Sequence, residues 1–304
     1  MRNTFVASLV EEARVRDEIV LVVGDLGYSV IEPFADEFPE RFFNAGVAEQ
    51  GMVSMAAGLA SEGCHVFTYS IANFPTFRCA EQIRNDVDYH KLPVTTVVVG
   101  GGLGYGALGY SHHAVQDFAL MRSFPNMLIG SPVCPVQVRQ VLSYFCQHPQ
   151  PSYLRLGKAG ELPLSPHEAD LIPGGLVPLA KTRGTDVALV TTGRLIQSFG
   201  TLLKEISRTI DCVSLPIWGQ STQSEVANSL RKYKQVIVLE DHLVFGGFGS
   251  YLLEINALNG LNLAIHVVGF ENFEASLVGS ESYLLGQQNI GRRLAEIVSN
   301  IHAS

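Results

Sequence analysis

The sequence predicts an α/β protein of two domains, each a mainly parallel sheet flanked by helices. Three observations carry this expectation. Short β-branched runs are closed by glycine, as at residues 19–24 (Ile-Val-Leu-Val-Val-Gly) and 94–99 (Val-Thr-Thr-Val-Val-Val, followed by three glycines), which is the pattern of strands buried on both faces. Helix-period segments lie between these runs, and strands alternating with helices imply right-handed βαβ units. The chain has 304 residues, whereas single cores stop growing near about 250–300 residues.

Taken in order, residues 4–16 predict a helix, 19–24 a strand, 49–61 a helix with Met52, Ala56, Leu59 and Ala60 on one face, and 64–68 a strand. A helix at 77–89, strands at 94–99 and 127–130 and a helix at 135–147 follow. After Pro151 the pattern loosens through Gly157, Gly160, Pro163, Pro166, Pro173, Gly174 and Gly175, a breaker-rich stretch of the kind that joins domains. We therefore expect a first domain over 1–160, a linker over 161–184 and a second domain over 185–304. There the alternation restarts: strand 186–192, helix 196–206, strand 211–215, helix 222–232, strand 235–240, a helix from Gly249, strand 264–268 and a last helix at 287–300.

Composition narrows the functional classes. Lys plus Arg number 21 against 29 Asp plus Glu, a formal net charge of −8, with no basic cluster to displace counterions from a phosphate backbone, so no nucleic-acid partner is expected. No run of about 18 apolar residues occurs and the N-terminus leads into an amphipathic segment, so neither export nor a membrane anchor is expected. The five cysteines are odd in number and never spaced C-x-x-C, which argues against a disulfide framework or a zinc site and fits reduced thiols in a cytoplasm. Charged residues make up 16% of the chain, against roughly 25% in soluble domains. A surface covered by a partner would account for the difference.

Several constellations could carry chemistry. In residues 42–52 (Phe-Phe-Asn-Ala-Gly-Val-Ala-Glu-Gln-Gly-Met) a glycine turn follows an apolar strand and Glu49 stands in the first turn of an apolar helix. Glu49 either interacts with the helix dipole or is a buried carboxylate held for proton work. Residues 69–78 (Tyr-Ser-Ile-Ala-Asn-Phe-Pro-Thr-Phe-Arg) place Phe74 and Phe77 three apart, beside Arg78. The two rings are either core or flat surfaces for a heterocycle. Residues 100–109 hold six glycines and lead to Ser111, His112 and His113, a backbone that lets a ligand approach closely. Arg2, Arg155 and Lys158 are candidate anion contacts. The run 246–250 (Gly-Gly-Phe-Gly-Ser) fits neither G-x-G-x-x-G nor a P-loop and is assigned no catalytic role.

Residues 46–50 (Gly-Val-Ala-Glu-Gln) resemble the G-[IV]-x-E-[QF] motif of the pyrimidine-binding domain in thiamine diphosphate enzymes of the transketolase and deoxyxylulose-phosphate synthase group. Asp25-Leu26, the aromatic segment 69–78, the glycine-rich run to Ser111-His112, residues 125–127, Lys158 and Glu240 with the following 246–250 run occur in that family's order. The resemblance implies a pyrimidine-binding domain followed by a transketolase C-terminal domain. It implies that Glu49 bonds N1′ of the cofactor's aminopyrimidine and favours the imino tautomer that deprotonates the thiazolium. An apolar cleft favours the protonated form of a carboxyl and lets it share a proton with a ring nitrogen. By the same resemblance Phe74 or Phe77 stacks on the aminopyrimidine and Arg78 matches a basic position near the cofactor. His112 reaches the substrate's oxygens or moves a proton, His113 stands at a substrate-binding position, and Lys158, Arg155 and Arg2 bind the substrate's anion, Lys158 being the better match in register. Leu108 stands where many relatives have an aspartate against a donor-sugar hydroxyl. That departure implies a deoxy, branched or otherwise modified sugar phosphate.

The family's diphosphate and Mg²⁺ site needs Gly-Asp-Gly and a later Asn. Residues 24–27 (Gly-Asp-Leu-Gly) lack the middle glycine, so no metal ligands are expected here. Met1 opens almost directly on the pyrimidine-binding domain. The resemblance thus implies one subunit of a split transketolase, completed by an N-terminal-half partner in an α2β2 heterotetramer and transferring a two-carbon ketol unit between sugars. Two other readings stay open: a β subunit of a 2-oxoacid dehydrogenase, and a non-catalytic assembly subunit of the same fold.

Overall fold

The computed structural model describes residues 1–158, 160–164, 171–181 and 184–303. Among the described residues there are twelve strands: β1 (Ile19–Val23), β2 (Phe42–Asn44), β3 (His65–Ile71), β4 (Val94–Val99), β5 (Leu128–Gly130), β6 (Ser152–Leu156), β7 (Val177–Pro178), β8 (Val187–Thr191), β9 (Asp211–Ser214), β10 (Ile217–Gly219), β11 (Gln235–Leu243) and β12 (Ala264–Phe270). One sheet has the order β10-β5-β6-β4-β3-β1-β2 and the other β12-β11-β8-β9-β7. Every pairing is parallel except β10 on β5 and β7 on β9. This is the two-sheet α/β architecture expected. Helices cover both faces of each sheet, so β1, β4 and β8 are buried along their whole length.

Three departures from the local pattern have physical causes. The segment expected as one helix over 77–89 begins earlier, at Asn73–Arg78, because Pro75 lies in the first turn, where no backbone N–H is required. It then breaks at Cys79 and continues as a π-helical turn, Ile83–Asp88. The expected last helix at 287–300 starts later, at Ile290–Ala303, and a separate helix Glu281–Gln287 precedes it, with Asn289 left-handed (φ 51°) between them. Strand β6 starts directly after Pro151, where breakers suggested irregular chain; all five of its residues are buried.

The two sheets are not built from sequential blocks of chain. Within the expected linker, Val177–Pro178 pairs with β9 of the second sheet, while residues 165–170 and 182–183 lie outside the described ones. Strand β10 lies in the second half of the chain yet closes the edge of the first sheet, in register Ile217 to Gly130. Its Trp218 is buried and packs between Phe118 (centroids 5.2 Å apart) and Tyr251 (5.0 Å). One hydrophobic cluster accordingly runs from Val20 and Met52 to Val226 and Phe248. The five cysteines are free thiols, and among the described residues no helix is long and apolar enough to cross a membrane.

Candidate functional site

In an open parallel sheet, ligand sites gather outside the carboxyl ends of the strands. Here Asp25 follows β1, Glu49 follows β2, the Asn73–Arg78 helix follows β3, the 100–113 loop follows β4 and Lys158 follows β6. The ends of β1 and β2 are clamped by an amide. The Asn44 Oδ1 atom accepts from the backbone N–H of Asp25 (3.1 Å) and Gly46 (2.9 Å), and its Nδ2 donates to Asp25 Oδ1 (3.0 Å). Hydrogen bonds from Asn44 and then Tyr28 hold the Asp25 carboxyl below the usual carboxylate range. The clamp sets the left-handed turn at Gly46 (φ 72°) that launches the helix carrying Glu49.

Glu49 does not cap that helix. Its side chain is buried, at 4% exposure, and Oε2 accepts from Arg78 Nη1 at 2.9 Å. The Arg78 guanidinium also lies over the Phe74 ring, Cζ 4.6 Å from the centroid. Phe74 also neighbours His112, edge-on at 5.1 Å. Phe74, Phe77 and Arg78 line a cleft of about 490 Å³ together with Asn73, Tyr110 and Ser111. Asn73 secures its far wall, since Nδ2 donates to the carbonyls of Ser111 and His113, both at 3.0 Å. Its Oδ1 is buried with no hydrogen bond.

A second aromatic organises the substrate-side residues. Gly100 is left-handed (φ 77°), and a Cβ there would stand 2.1 Å from the Tyr105 ring. Glycine is thus required for Tyr105 to fold back over the strand end. Lys158 Nζ sits 4.9 Å from the Tyr105 centroid, and the His112 ring lies 6.4 Å from it. Ser111 Oγ and His112 Nδ1 are 3.0 Å apart. Burial, followed by the neighbouring His113, lowers the His112 pKa below that of a free imidazole. Arg2 acts electrostatically on the Tyr69 and Tyr105 hydroxyls, and its Nε is buried without a hydrogen bond. Among the described residues no three His, Cys, Asp or Glu side chains converge to hold a metal.

Two expected substrate contacts lie elsewhere. His113 is fully buried, with Nε2 3.1 Å from the Gly106 carbonyl and its ring 5.6 Å from Phe273. His112, by contrast, lies against Phe74 and Tyr105. Arg155 is buried on β6, donating to Asp117 (2.7 Å), Asp241 and the Ala114 carbonyl (2.8 Å). Burial opposes its charge, but Asp117 and Asp241 outweigh this and hold the guanidinium ionised. With its donors engaged it is an inter-sheet tie and is not available to an anion. Leu108 is 57% exposed. Sequence reasoning missed Asn73 and Tyr105. Asn73 opens the aromatic helix, and Tyr105 sits mid-way in the glycine run, but neither position carries a chemical signal until the loop folds over.

Comparison with known proteins bears on this geometry. The transketolase pyrimidine-binding domain family matches residues 1–160 and the transketolase C-terminal domain family residues 177–286. The chain belongs to the transketolase family. A protein of Methanocaldococcus jannaschii assigned as a transketolase C-terminal section is 33% identical over 97% of this chain and 95% of its own. One of the subunits of the apulose-4-phosphate transketolase of Actinobacillus succinogenes is 32% identical over 92% of this chain and 90% of its own. Among solved structures, a split-gene transketolase in an inactive β4 tetramer superposes with a TM-score of 0.84 at 29% identity, covering 98% of this chain and 97% of the other. The transketolase of Leishmania mexicana, 18% identical, shares the fold at a TM-score of 0.80, with 45% of its length covered. The two matched domains together span most of the strands of both sheets.

Proposed function

We propose that this chain is the pyrimidine-site subunit of a split transketolase, acting with a companion that carries the diphosphate and Mg²⁺ site and moving a two-carbon ketol unit between phosphorylated sugars. The observation that carries the reading is the buried Glu49 carboxylate held by Arg78, which lines the cleft together with Phe74. The donor set suits an aminopyrimidine: a carboxylate to bond a ring nitrogen, and a flat apolar face to stack on. Thiamine diphosphate, when bound, supplies the electron sink for carbon–carbon cleavage. Glu49 would hold and exchange the proton at its own Oε atoms, in a setting that excludes water. Phe74 would fix the plane, with Phe77 at the rim, and Arg78 would stand beside them.

On the substrate side, His112 would orient a sugar hydroxyl or carry its proton, held between Phe74 and Tyr105. Lys158 and Arg2 would receive the phosphate, Lys158 from an exposed position and Arg2 through a buried Nε with no bond of its own. Leu108 in place of an aspartate, exposed on the glycine-rich loop, supports a donor different from the ordinary ketose phosphate, as does the apulose-4-phosphate in the names of the transketolase subunits from Actinobacillus succinogenes and Phocaeicola vulgatus. Those names also favour ketol transfer over 2-oxoacid decarboxylation.

The partner surface is proposed on the same face. Tyr28, Phe43, Val47 and Phe77 are all exposed around the carboxyl ends of β1, β2 and β3, an apolar grouping rarely left in water. The inactive β4 assembly of the split-gene relative fits a subunit that needs its companion. Co-expression with a diphosphate-binding half, then an assay with thiamine diphosphate and Mg²⁺ across sugar phosphate donors, tests the reading. Ketol transfer by the pair and none by either half is expected. An active pair whose turnover survives Glu49→Gln would overturn the assignment of the site.

A further inference from the structure

Arg78 makes two contacts at once, and both are with the groups assigned above to the cofactor's aminopyrimidine. Nη1 donates to Glu49 Oε2 at 2.9 Å, and the guanidinium carbon lies over Phe74 with Cζ 4.6 Å from the centroid. A guanidinium is flat, carries N–H donors on its edge and presents a cationic face. It therefore offers the carboxylate and the ring the same kind of contact as a planar, protonated aminopyrimidine. We propose that Arg78 is a built-in placeholder, occupying the aminopyrimidine position in the cofactor-free chain and vacating it when the cofactor enters. The proposal rests on the reading that Glu49 and Phe74 hold the aminopyrimidine.

The chemistry of Glu49 gives the reason for such a device. A carboxylate at 4% exposure left without a donor or a counter-charge is strongly unfavourable. An empty site would otherwise expose this defect. The Arg78 backbone is anchored: its carbonyl accepts from Gln50 Nε2 at 3.0 Å at the end of the Asn73–Arg78 helix. Its side chain is half exposed and borders the open cleft of about 490 Å³. The long side chain can leave Phe74 for that space while the helix stays still. A site occupied in this way has an apparent affinity for the cofactor reduced by the fraction of time it is open.

The test uses the isolated chain and the free pyrimidine half of thiamine, 4-amino-5-hydroxymethyl-2-methylpyrimidine, titrated by calorimetry. Arg78→Ala should bind this fragment about tenfold or more tighter than the wild type, and adding Glu49→Gln should cancel the gain. Arg78→Lys, which keeps the charge without the plane, should fall between and serves if the alanine variant does not fold. Equal or weaker binding by the Arg78 variants overturns the placeholder, as does failure of Arg78→Ala to bind the fragment at all. Glu49-dependent binding that ignores Arg78 would sink the placeholder alone. Binding indifferent to Glu49→Gln would sink the site assignment itself.

Discussion

Arg155 on β6 and Asp241 on β11 form a buried ion pair that ties the first sheet to the second, with Asp117 holding the same guanidinium from the other side at 2.7 Å. Asp117 also accepts from Tyr153 (2.9 Å), whose hydroxyl lies 3.1 Å from Thr76 in the aromatic helix. A continuous polar chain thus runs from the segment bearing Phe74 to the second domain.

Removing one member of a buried pair leaves an uncompensated charge, at about 3–5 kcal/mol. Asp241→Asn should fall at the lower end because Asp117 remains. Arg155→Met should be worse, since it leaves two carboxylates buried together. Urea unfolding followed by Trp218 fluorescence measures both, because the single tryptophan is buried at the seam between the domains.

Glu49→Gln should lower ketol transfer by the assembled enzyme by at least about 10²-fold, the range for a lost proton-transfer group, with the melting temperature of the chain nearly unchanged. The amide keeps the shape and an acceptor for Arg78 but cannot exchange the proton. Steady-state assay beside a thermal melt separates loss of chemistry from loss of fold.

Gly100→Ala places a methyl group in the Tyr105 ring and forces a left-handed alanine. The backbone alone costs about 1–2 kcal/mol. Tyr105 must then leave Lys158 and His112, so KM for a phosphorylated donor should rise more than kcat falls. Tyr105→Phe keeps the ring and should leave both constants close to wild type.

Burial brings the His65 pKa down to about 4, and its Nδ1 has no hydrogen-bond partner. The folded chain holds this ring neutral, whereas the unfolded chain protonates it near pH 6.5. Its contribution is therefore complete above about pH 6.5 and is lost as pH falls toward about 4, on the order of 3 kcal/mol in all. Unfolding curves between those pH values should show less acid sensitivity in His65→Gln than in the wild type.

His112 has its pKa lowered by burial and by His113, so it is neutral at neutral pH. If it orients or deprotonates the sugar, kcat/KM should fall on the acid side with a midpoint below 6.5. His112→Asn should flatten that limb, which pH–rate profiles of the two enzymes would show.

Where the local period was clean, reading it was enough: the helices Glu49–Ser61 and Pro135–Gln147 follow from apolar spacing. Segments whose structure depends on a distant neighbour were not legible. Residues 217–219 are too short to register as a strand and become one only because the β5 edge is open beside them. Among the site residues, Glu49, Phe74 and His112 carried chemical signals in their motifs. Asn73 and Tyr105 did not, since their roles are contacts to a loop that must fold first.

By itself the sequence determined the α/β alternation, the two-sheet composition and the carboxylate after β2, because hydrophobic period, glycine turns and residue chemistry are local properties. Only the tertiary structure decided which charges meet. It turned Arg155 into an inter-sheet tie, His113 into the interior, and Arg78 onto Glu49 across 29 positions of chain. Those outcomes depend on strand order and on the low-dielectric interior that it creates, where an ionised group must find a counter-charge or a donor, and no local pattern states which one it will be.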